Sequence, residues 1–264
     1  MNLLRVFVLI LLASFLAIPP VQAGSSQAEG EAYFDADTII GFSKRVEKSL
    51  AANGARVAII SRVGRPRTQL PEGVRFTHTA LAVYSKITTS DGRNVPGYAI
   101  YNLYQKSGRP DKSHLVKDYP VDFFAGVQVL EAGVIIPTPD LQRRLLDVVA
   151  SDTYQNLHNP DYSVIANPYT LKLQNCTEHV LDILFSAIYK TDDIQQIKAN
   201  QKAYFKAQPV HVNPIKLALG SLFVKDVATS DHPGSPETTT FTTIGNFLEK
   251  FGLAAKVYVI SESV

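Results

Sequence analysis

The sequence contains only one cysteine among its 264 residues, together with one methionine and no tryptophan. One cysteine excludes an internal disulfide, so folding must depend on the apolar core that a 45% hydrophobic chain can build. The formal net charge is only +2, and the basic residues are scattered along the chain. This balance does not indicate nucleic acid as a partner.

The motifs of several common enzyme classes are also absent. The chain has no G-x-S-x-G nucleophile elbow, no Walker loop, no dinucleotide-binding glycine pattern, no H-E-x-x-H and no C-x-x-C. Its six histidines are dispersed without the spacing of metal ligands. We therefore predict neither a metal site nor a cofactor.

The first 23 residues have the pattern of a secretory signal peptide. Arg5 supplies a positive charge, residues 6–18 form a short apolar segment, and Val21-Gln22-Ala23 is a small-residue cleavage site. We predict cleavage after Ala23 and a periplasmic or secreted protein. No later stretch approaches the roughly 20 apolar residues that a membrane span needs, so we expect no transmembrane segment in the mature chain.

The remaining chain alternates helical and strand patterns, without repeats and without a boundary between two cores. A flexible leader at residues 24–36 and a single α+β domain at residues 37–264 explain this pattern best. The periodicity predicts helices near 38–50, 139–149, 176–189, 193–207 and 243–251, strands near 57–63, 75–86, 98–105, 127–137 and 255–260, a loop at 106–119, an irregular segment at 154–168, and a short helix or strand at 215–224.

The only cysteine, Cys176, lies at the predicted start of a helix. Asn175 is a favourable N-cap, and Glu178 can reach back to the cap amide to complete a capping box. At the first helical position, the free backbone N–H groups and the helix dipole favour a thiolate over a thiol. An unpaired thiol in an oxidising compartment implies burial, catalysis or intermolecular pairing, and most lone cysteines are small buried hydrophobes.

A candidate base lies on the strand predicted at 75–86. The alternation of this strand places His78 on the same face as Ala80, which leaves room beside the imidazole for another element. A turn at residues 88–96 returns the chain antiparallel, so Asn102 or Gln105 on the next strand is a candidate to orient the ring. The alternative is a histidine hydrogen-bonded inside a sheet, with Asn102 making ordinary sheet-edge hydrogen bonds.

The segment Asn175-Cys176-Thr177-Glu178-His179-Val180 resembles the Asn-Cys-x-x-Phe-Val helix start of the circularly permuted papain-like hydrolases, with His179 in the place of Phe. This superfamily includes NlpC-type cell-wall peptidases and lecithin:retinol acyltransferase-like enzymes. Its His strand precedes its Cys helix, as His78 precedes Cys176, although Ala80 stands where the superfamily often has Gly. The resemblance implies an α+β, papain-like, circularly permuted fold, in which an antiparallel sheet packs against a helix that starts at the Cys.

Most of the mature chain also resembles an uncharacterised family of exported bacterial proteins, known as a domain of unknown function. Many members of that family resemble this chain except that they carry Ser at the position of Cys176. The stretches that carry this resemblance are Val57 to Gly64, Arg75 to Tyr84, Leu141 to Leu145, Tyr162 to Asn175, and Asp231-His232-Pro233.

The superfamily resemblance implies roles for four residues. Cys176 would be the nucleophile, His78 the general base and later acid, and Asn102 the residue that orients His78. The Cys176 amide would donate to the oxyanion, with Gln174 as a candidate second donor.

We therefore expect an exported thiol hydrolase or transferase that acts on an amide or ester bond. Peptidoglycan stem peptide is the first substrate hypothesis because of the predicted location, and a lipid acyl ester is the second. The alternative is a catalytically inactive binding module on the same fold, whose cleft holds a peptide or glycan. A structural component of the cell envelope is a third hypothesis.

Overall fold

The computed structural model describes residues 32–89, 91–210 and 227–262. The predicted signal peptide at 1–23, most of the predicted leader and the element predicted at 215–224 lie outside these residues. The described end of the leader contains Asp35, whose carboxylate accepts a hydrogen bond from the Thr38 amide at 2.7 Å and caps the first helix.

The centre of the fold is a six-stranded sheet in which every neighbouring pair is antiparallel. Its strands are β1 (Val57–Val63), β2 (His78–Thr88), β3 (Asn94–Lys106), β4 (Arg109–Asp118), β5 (Val129–Pro137) and β8 (Ala254–Ser261). They lie in the order β4-β3-β2-β1-β5-β8. A separate short pair joins β6 (Gln208–Pro209) to β7 (Glu237–Thr238).

Helices cover both faces of the sheet. One face packs against α1 (Ala36–Ala52) and α2 (Pro120–Ala125). The other face packs against α3 (Pro139–Val149), α4 (Thr153–Asn156), α5 (Cys176–Tyr189), α6 (Ile194–Tyr204) and α7 (Phe241–Lys250). A 3₁₀ turn at Arg67–Gln69 follows β1. The fold is therefore α+β, as predicted.

The alternation of side chains along each strand separates two apolar cores. In β1, Val57 and Ile59 face the α3 and α5 side, whereas Ala58 and Ile60 face the α1 and α2 side. Every residue of β1 is buried, because the strand has neighbours on both edges and helices on both faces. This explains why its sequence is a nearly continuous apolar run.

Most predicted elements are present, but the prediction of a loop at residues 106–119 is wrong. The helix over 139–149 has the predicted bounds, and the strand predicted at 255–260 is β8, which pairs with β5 at the edge of the sheet. Residues 109–118 instead form β4, after a tight turn in which Gly108 has a φ of 68°. This polar strand is compatible with the sheet because it lies at an edge and is partly exposed.

Among the helices that the structure describes, none combines the length and the apolarity that crossing a bilayer requires.

Gly133 in β5 is expected to be intolerant of a side chain. A Cβ added there would lie 2.7 Å from Phe241 Cε1 and 2.9 Å from Phe76 Cε2, and both rings are buried in one core. We expect Gly133→Ala to lower the free energy of unfolding by about 1–3 kcal/mol, measured by urea denaturation. Gly234→Ala is the matched control, because a Cβ there meets nothing within 4 Å. Equal effects of the two substitutions would contradict the prediction.

Candidate functional site

Two of the predicted site residues, His78 and Asn102, lie where β2 and β3 separate. The pairing of these two strands stops at Leu81, which lies opposite Tyr101. Beyond that point β2 remains paired with β1, and β3 remains paired with β4. Residues 78–80 and 102–105 thus diverge at one end of the sheet, and we call these two segments the β2–β3 fork.

A hydrogen bond between side chains bridges the fork. His78 Nε2 donates to Asn102 Oδ1 at 3.0 Å, and both residues are fully buried. The imidazole stacks on the Tyr104 ring, with centroids 4.9 Å apart and planes within 6°, and it packs against Phe123 of α2. The other ring nitrogen, His78 Nδ1, has no hydrogen-bond partner. The structure therefore brings together the predicted base and its predicted orienting residue.

A carboxylate supports Asn102 from β4. Asn102 Nδ2 donates to Asp118 Oδ1 at 2.6 Å, and the Tyr104 hydroxyl donates to Asp118 Oδ2 at 2.9 Å. Asp118 is itself buried, so these contacts are sheltered from water. The side chains of His78, Asn102, Asp118 and Tyr104 form one connected group, which we call the His78 network.

Burial controls ionisation in the His78 network. Burial, and then the positive charge of Arg62, hold the pKa of His78 well below its usual value, although the Asn102 hydrogen bond acts in the opposite direction. Burial also raises the pKa of Asp118 to about 7, with a further contribution from the charge of Asp122. The imidazole is therefore neutral at pH 7, and the Asp118 carboxyl is near its midpoint.

Cys176 is the first residue of α5, as predicted, but its sulfur is covered. The residue is 4% exposed and lies in a small apolar cluster with Leu103 and Tyr162. Burial raises the pKa of the Cys176 thiol, and this outweighs the lowering by the backbone amide of Thr79 and by Thr177. In this conformation the group is a thiol at neutral pH, so the helix start does not produce the expected thiolate.

The side chains of Cys176 and His78 lie on opposite faces of the sheet at β2. Thr177 Oγ1 of α5 donates to Thr79 Oγ1 at 3.2 Å, whereas the His78 ring packs toward Phe123 of α2. The larger side chains of β2 face α5 and its small alanines face α1 and α2, which reverses the arrangement expected from the sequence. The sulfur nevertheless reaches the sheet at the Thr79 amide, next to His78, although no hydrogen bond joins it to Nδ1.

Gln174 makes anchoring contacts instead of the predicted oxyanion contact. Its two amide protons are donated to Leu157 O at 2.9 Å and to Asp182 Oδ2 at 2.8 Å. Its Oε1 accepts from the Asn159 amide at 2.9 Å. Because both protons are used, Gln174 holds the segment before α5 against the helix and has none left for an oxyanion.

Only half of the predicted capping box is present. Asn175 Oδ1 accepts from the Glu178 amide at 2.9 Å, as expected for the N-cap. The Glu178 carboxylate instead lies 2.8 Å from Lys198 Nζ, and Lys198 is also 2.7 Å from Asp182. Burial raises the pKa of Glu178 to about 8. Burial alone would lower the pKa of Lys198, but the two carboxylates outweigh this effect, so the pKa of Lys198 lies above its usual value. These three side chains form a buried charge cluster along α5 and α6.

The structure also shows what five further side chains contact. Tyr162 contacts the Cys176 cluster, whereas His179 packs edge-on against Tyr154 at 5.2 Å. The remaining side chains fix loops: Gln105 Nε2 donates to Pro110 O, His158 Nε2 is 2.9 Å from Ser113 Oγ, and Asp231 Oδ2 accepts from the Asn167 amide at 2.8 Å.

Asp118 and Tyr104 are the residues that sequence reasoning missed. Tyr104 shares the alternation of Asn102 along β3, so the strand pattern contained a signal for it. Asp118 gives no such signal, because the polar sequence of β4 predicts a loop. In the described segments, no group of three or more His, Cys, Asp or Glu side chains is arranged to hold a metal ion.

These features define an α+β protein with a central antiparallel sheet and a buried His, Asn and Asp network beside a capped cysteine helix. The chain belongs to the bacterial family described as "Uncharacterized protein conserved in bacteria (DUF2145)", whose model matches residues 49–248. This confirms the family resemblance seen in the sequence, and the matched region contains both Cys176 and the His78 network. No curated protein and no solved structure matches the chain.

Proposed function

We propose that this protein is an exported thiol hydrolase or acyl transferase on a circularly permuted papain-like fold, with Cys176 as nucleophile and His78 as base. The observation that carries the proposal is the hydrogen bond from His78 Nε2 to Asn102, because it leaves Nδ1 as an unpaired acceptor at the fork that the start of α5 approaches. Acyl transfer requires an oriented base that can reach a nucleophile, and these two side chains, which lie on opposite faces of β2 in this conformation, would meet through an opened fork.

The proposed reaction uses the Cys176 sulfur as the nucleophile and His78 Nδ1 first as the proton acceptor and then as the proton donor. The Cys176 thiol gives its proton to His78 Nδ1, and the sulfur attacks the carbonyl carbon of an amide or ester. The backbone amide of Cys176, at the helix start, stabilises the oxyanion. The leaving amine or alcohol takes the proton from His78, and water or a second acceptor then cleaves the thioester by the reverse steps.

The reaction requires the site to open. Cys176 is 4% exposed and His78 is fully buried, and Leu103 and Tyr162 pack against the sulfur. Tyr162 lies on the segment before α5, so its displacement by a substrate would expose the sulfur. Exposure would also remove the burial that raises the pKa of the thiol.

The substrate proposal follows from the expected location. If the N-terminal 23 residues direct export, the protein meets the cell envelope, where peptidoglycan stem peptide supplies amide bonds. A lipid acyl ester is the second substrate class, because the same thiol chemistry cleaves esters.

A catalytically inactive binding module is the second candidate function. The observation that favours it is the covered sulfur, whose pKa is raised and which makes no hydrogen bond to His78. On this hypothesis Cys176 packs as a small hydrophobe, and the protein holds a peptide or glycan without cleaving it.

Alkylation of the only thiol separates the two functions. Because the chain has one cysteine, the mass gained from iodoacetamide reports Cys176 alone. In the folded protein the covered sulfur reacts only when the site opens, so the folded chain is expected to react more slowly than the chain unfolded in urea, and the readout is whether its rate depends on His78. We expect His78→Gln to lower the rate about 100-fold.

The matched control is His114→Gln, a histidine of β4 that lies opposite Tyr104 and outside the proposed pair. Its alkylation rate is expected to equal that of the wild type. A folded His78→Gln variant that is alkylated at the rate of the wild type would overturn the catalytic proposal and support the binding module. Circular dichroism shows whether each variant is folded.

A further inference from the structure

We infer that Asp118 is a positioning residue that fixes the amide orientation of Asn102 and, through it, the tautomer of His78. Nothing in the sequence indicated this role, since Asp118 ends a strand that was predicted to be a loop. The inference deepens the proposed function and rests on it for its catalytic meaning. The tautomer itself is a property of the folded chain and can be measured separately.

The direction of the hydrogen bonds follows from what each group can donate. An ionised carboxylate only accepts, so Asn102 Nδ2 and the Tyr104 hydroxyl must both donate to Asp118, at 2.6 Å and 2.9 Å. With its NH₂ group turned toward Asp118, Asn102 presents its carbonyl oxygen to His78 at 3.0 Å. That oxygen only accepts, so His78 Nε2 must carry the proton, and the lone pair of the neutral ring lies on Nδ1.

The reverse orientation of Asn102 is unfavourable because it sets an oxygen against an oxygen. A flipped amide would place Oδ1 beside the Asp118 carboxylate and lose the shortest contact of the His78 network. An amide in place of the carboxylate would remove this constraint, because an amide both donates and accepts. Both amide orientations of Asn102, and therefore both tautomers of His78, would then be compatible with a fully hydrogen-bonded network.

Burial and neighbouring charges determine the pH at which Asp118 is ionised and can fix the orientation of Asn102. His78 and Asn102 are fully buried and Asp118 is 6% exposed, so the contacts with Asp118 are sheltered from solvent. Arg62, whose guanidinium lies over the Tyr104 and Phe123 rings, lowers the pKa of Asp118, and Asp122 of α2 raises it. The pKa of about 7 means that the carboxylate form predominates at pH about 9, where the measurement belongs.

Long-range ¹H–¹⁵N correlation spectra of ¹⁵N-histidine-labelled protein read the tautomer directly. At pH about 9 we expect His78 of the wild type to carry its proton on Nε2 with at least a tenfold excess, on the order expected for a charge-assisted hydrogen bond. We expect Asp118→Asn to give comparable amounts of the two tautomers. Tyr104→Phe is the matched control: it removes the other donor to Asp118 but leaves Asn102 oriented, so its spectrum should match the wild type.

Two results would overturn the inference. One is a wild type in which His78 carries its proton on Nδ1. This test uses the wild type alone, so it remains decisive even if Asp118→Asn does not fold. The other is a folded Asp118→Asn variant that keeps the single Nε2–H tautomer. A wild type with the expected tautomer but a Cys176 alkylation rate that does not depend on His78 would support the role of Asp118 and overturn the proposed catalysis instead.

Discussion

Lys198→Met is expected to lower the free energy of unfolding by about 3–5 kcal/mol at pH 7, measured by urea denaturation. The Lys198 side chain is 7% exposed, and its ammonium lies 2.7 Å from Asp182 and 2.8 Å from Glu178, whose side chains are 0% and 1% exposed. Met fills the same volume without the charge. Asp182 would then remain buried with only the amide donors of Gln174 and Gln201.

The control for this substitution lies on the same helix. Lys202 of α6 is exposed, so Lys202→Met removes the same charge without stranding a buried carboxylate, and its effect should stay within about 0.5 kcal/mol. Adding Asp182→Asn and Glu178→Gln to Lys198→Met should restore part of the lost stability, because no buried charge remains. If Lys198→Met and Lys202→Met have equal effects, the buried charge cluster contributes nothing to stability.

Asp118→Asn is expected to change how stability depends on pH, by on the order of 3 kcal/mol between pH about 4 and pH about 8. Burial raises the pKa of Asp118 from its ordinary 3.8 to about 7 in the folded state. Between these values the folded protein binds a proton that the unfolded chain releases, so rising pH favours unfolding. The stability that the Asp118 proton confers is fully present below pH about 4 and is lost as the pH rises through about 7.

Urea denaturation of wild type and Asp118→Asn across this pH range measures the difference. The variant has no acid at position 118, so its free energy of unfolding should rise relative to that of the wild type as the pH increases. The pKa of Glu178 is raised to about 8 and that of His179 is lowered to about 3, both mainly by burial, but these groups are common to both proteins and cancel in the difference. A difference independent of pH would show that Asp118 titrates as an exposed acid does.

The fold was largely predictable because its main elements have local signals. The 3.6-residue period of α3 and the apolar run of β1 define those elements without knowledge of the rest of the chain. β4 was missed because it is an edge strand: its pairing with β3 supplies the backbone hydrogen bonds, while its side chains stay polar and partly exposed. A strand of this kind resembles a loop until its partner is known.

The site was less predictable because its contacts depend on distant partners. Asn175 caps its own helix through the Glu178 amide, so the four residues 175–178 are enough to predict that contact. Glu178 leaves the capping box for Lys198, and Gln174 turns to Asp182, because buried charged and polar groups must find partners across elements. The orientation of α5 follows from the larger side chains that β2 presents on one face, and it separates the Cys176 side chain from the His78 ring.

The β2–β3 fork also determines where the sheet can deform. One ribbon consists of β3 and β4, the rest of the sheet consists of β2, β1, β5 and β8, and the two parts share a seam that ends at Leu81 and Tyr101. Beyond that seam the described contacts across the fork are between side chains, and they include the His78–Asn102 hydrogen bond and the stacking of His78 on Tyr104. Widening the fork therefore disturbs side-chain contacts and breaks no backbone ladder, so we expect the sheet to deform most easily beside Cys176.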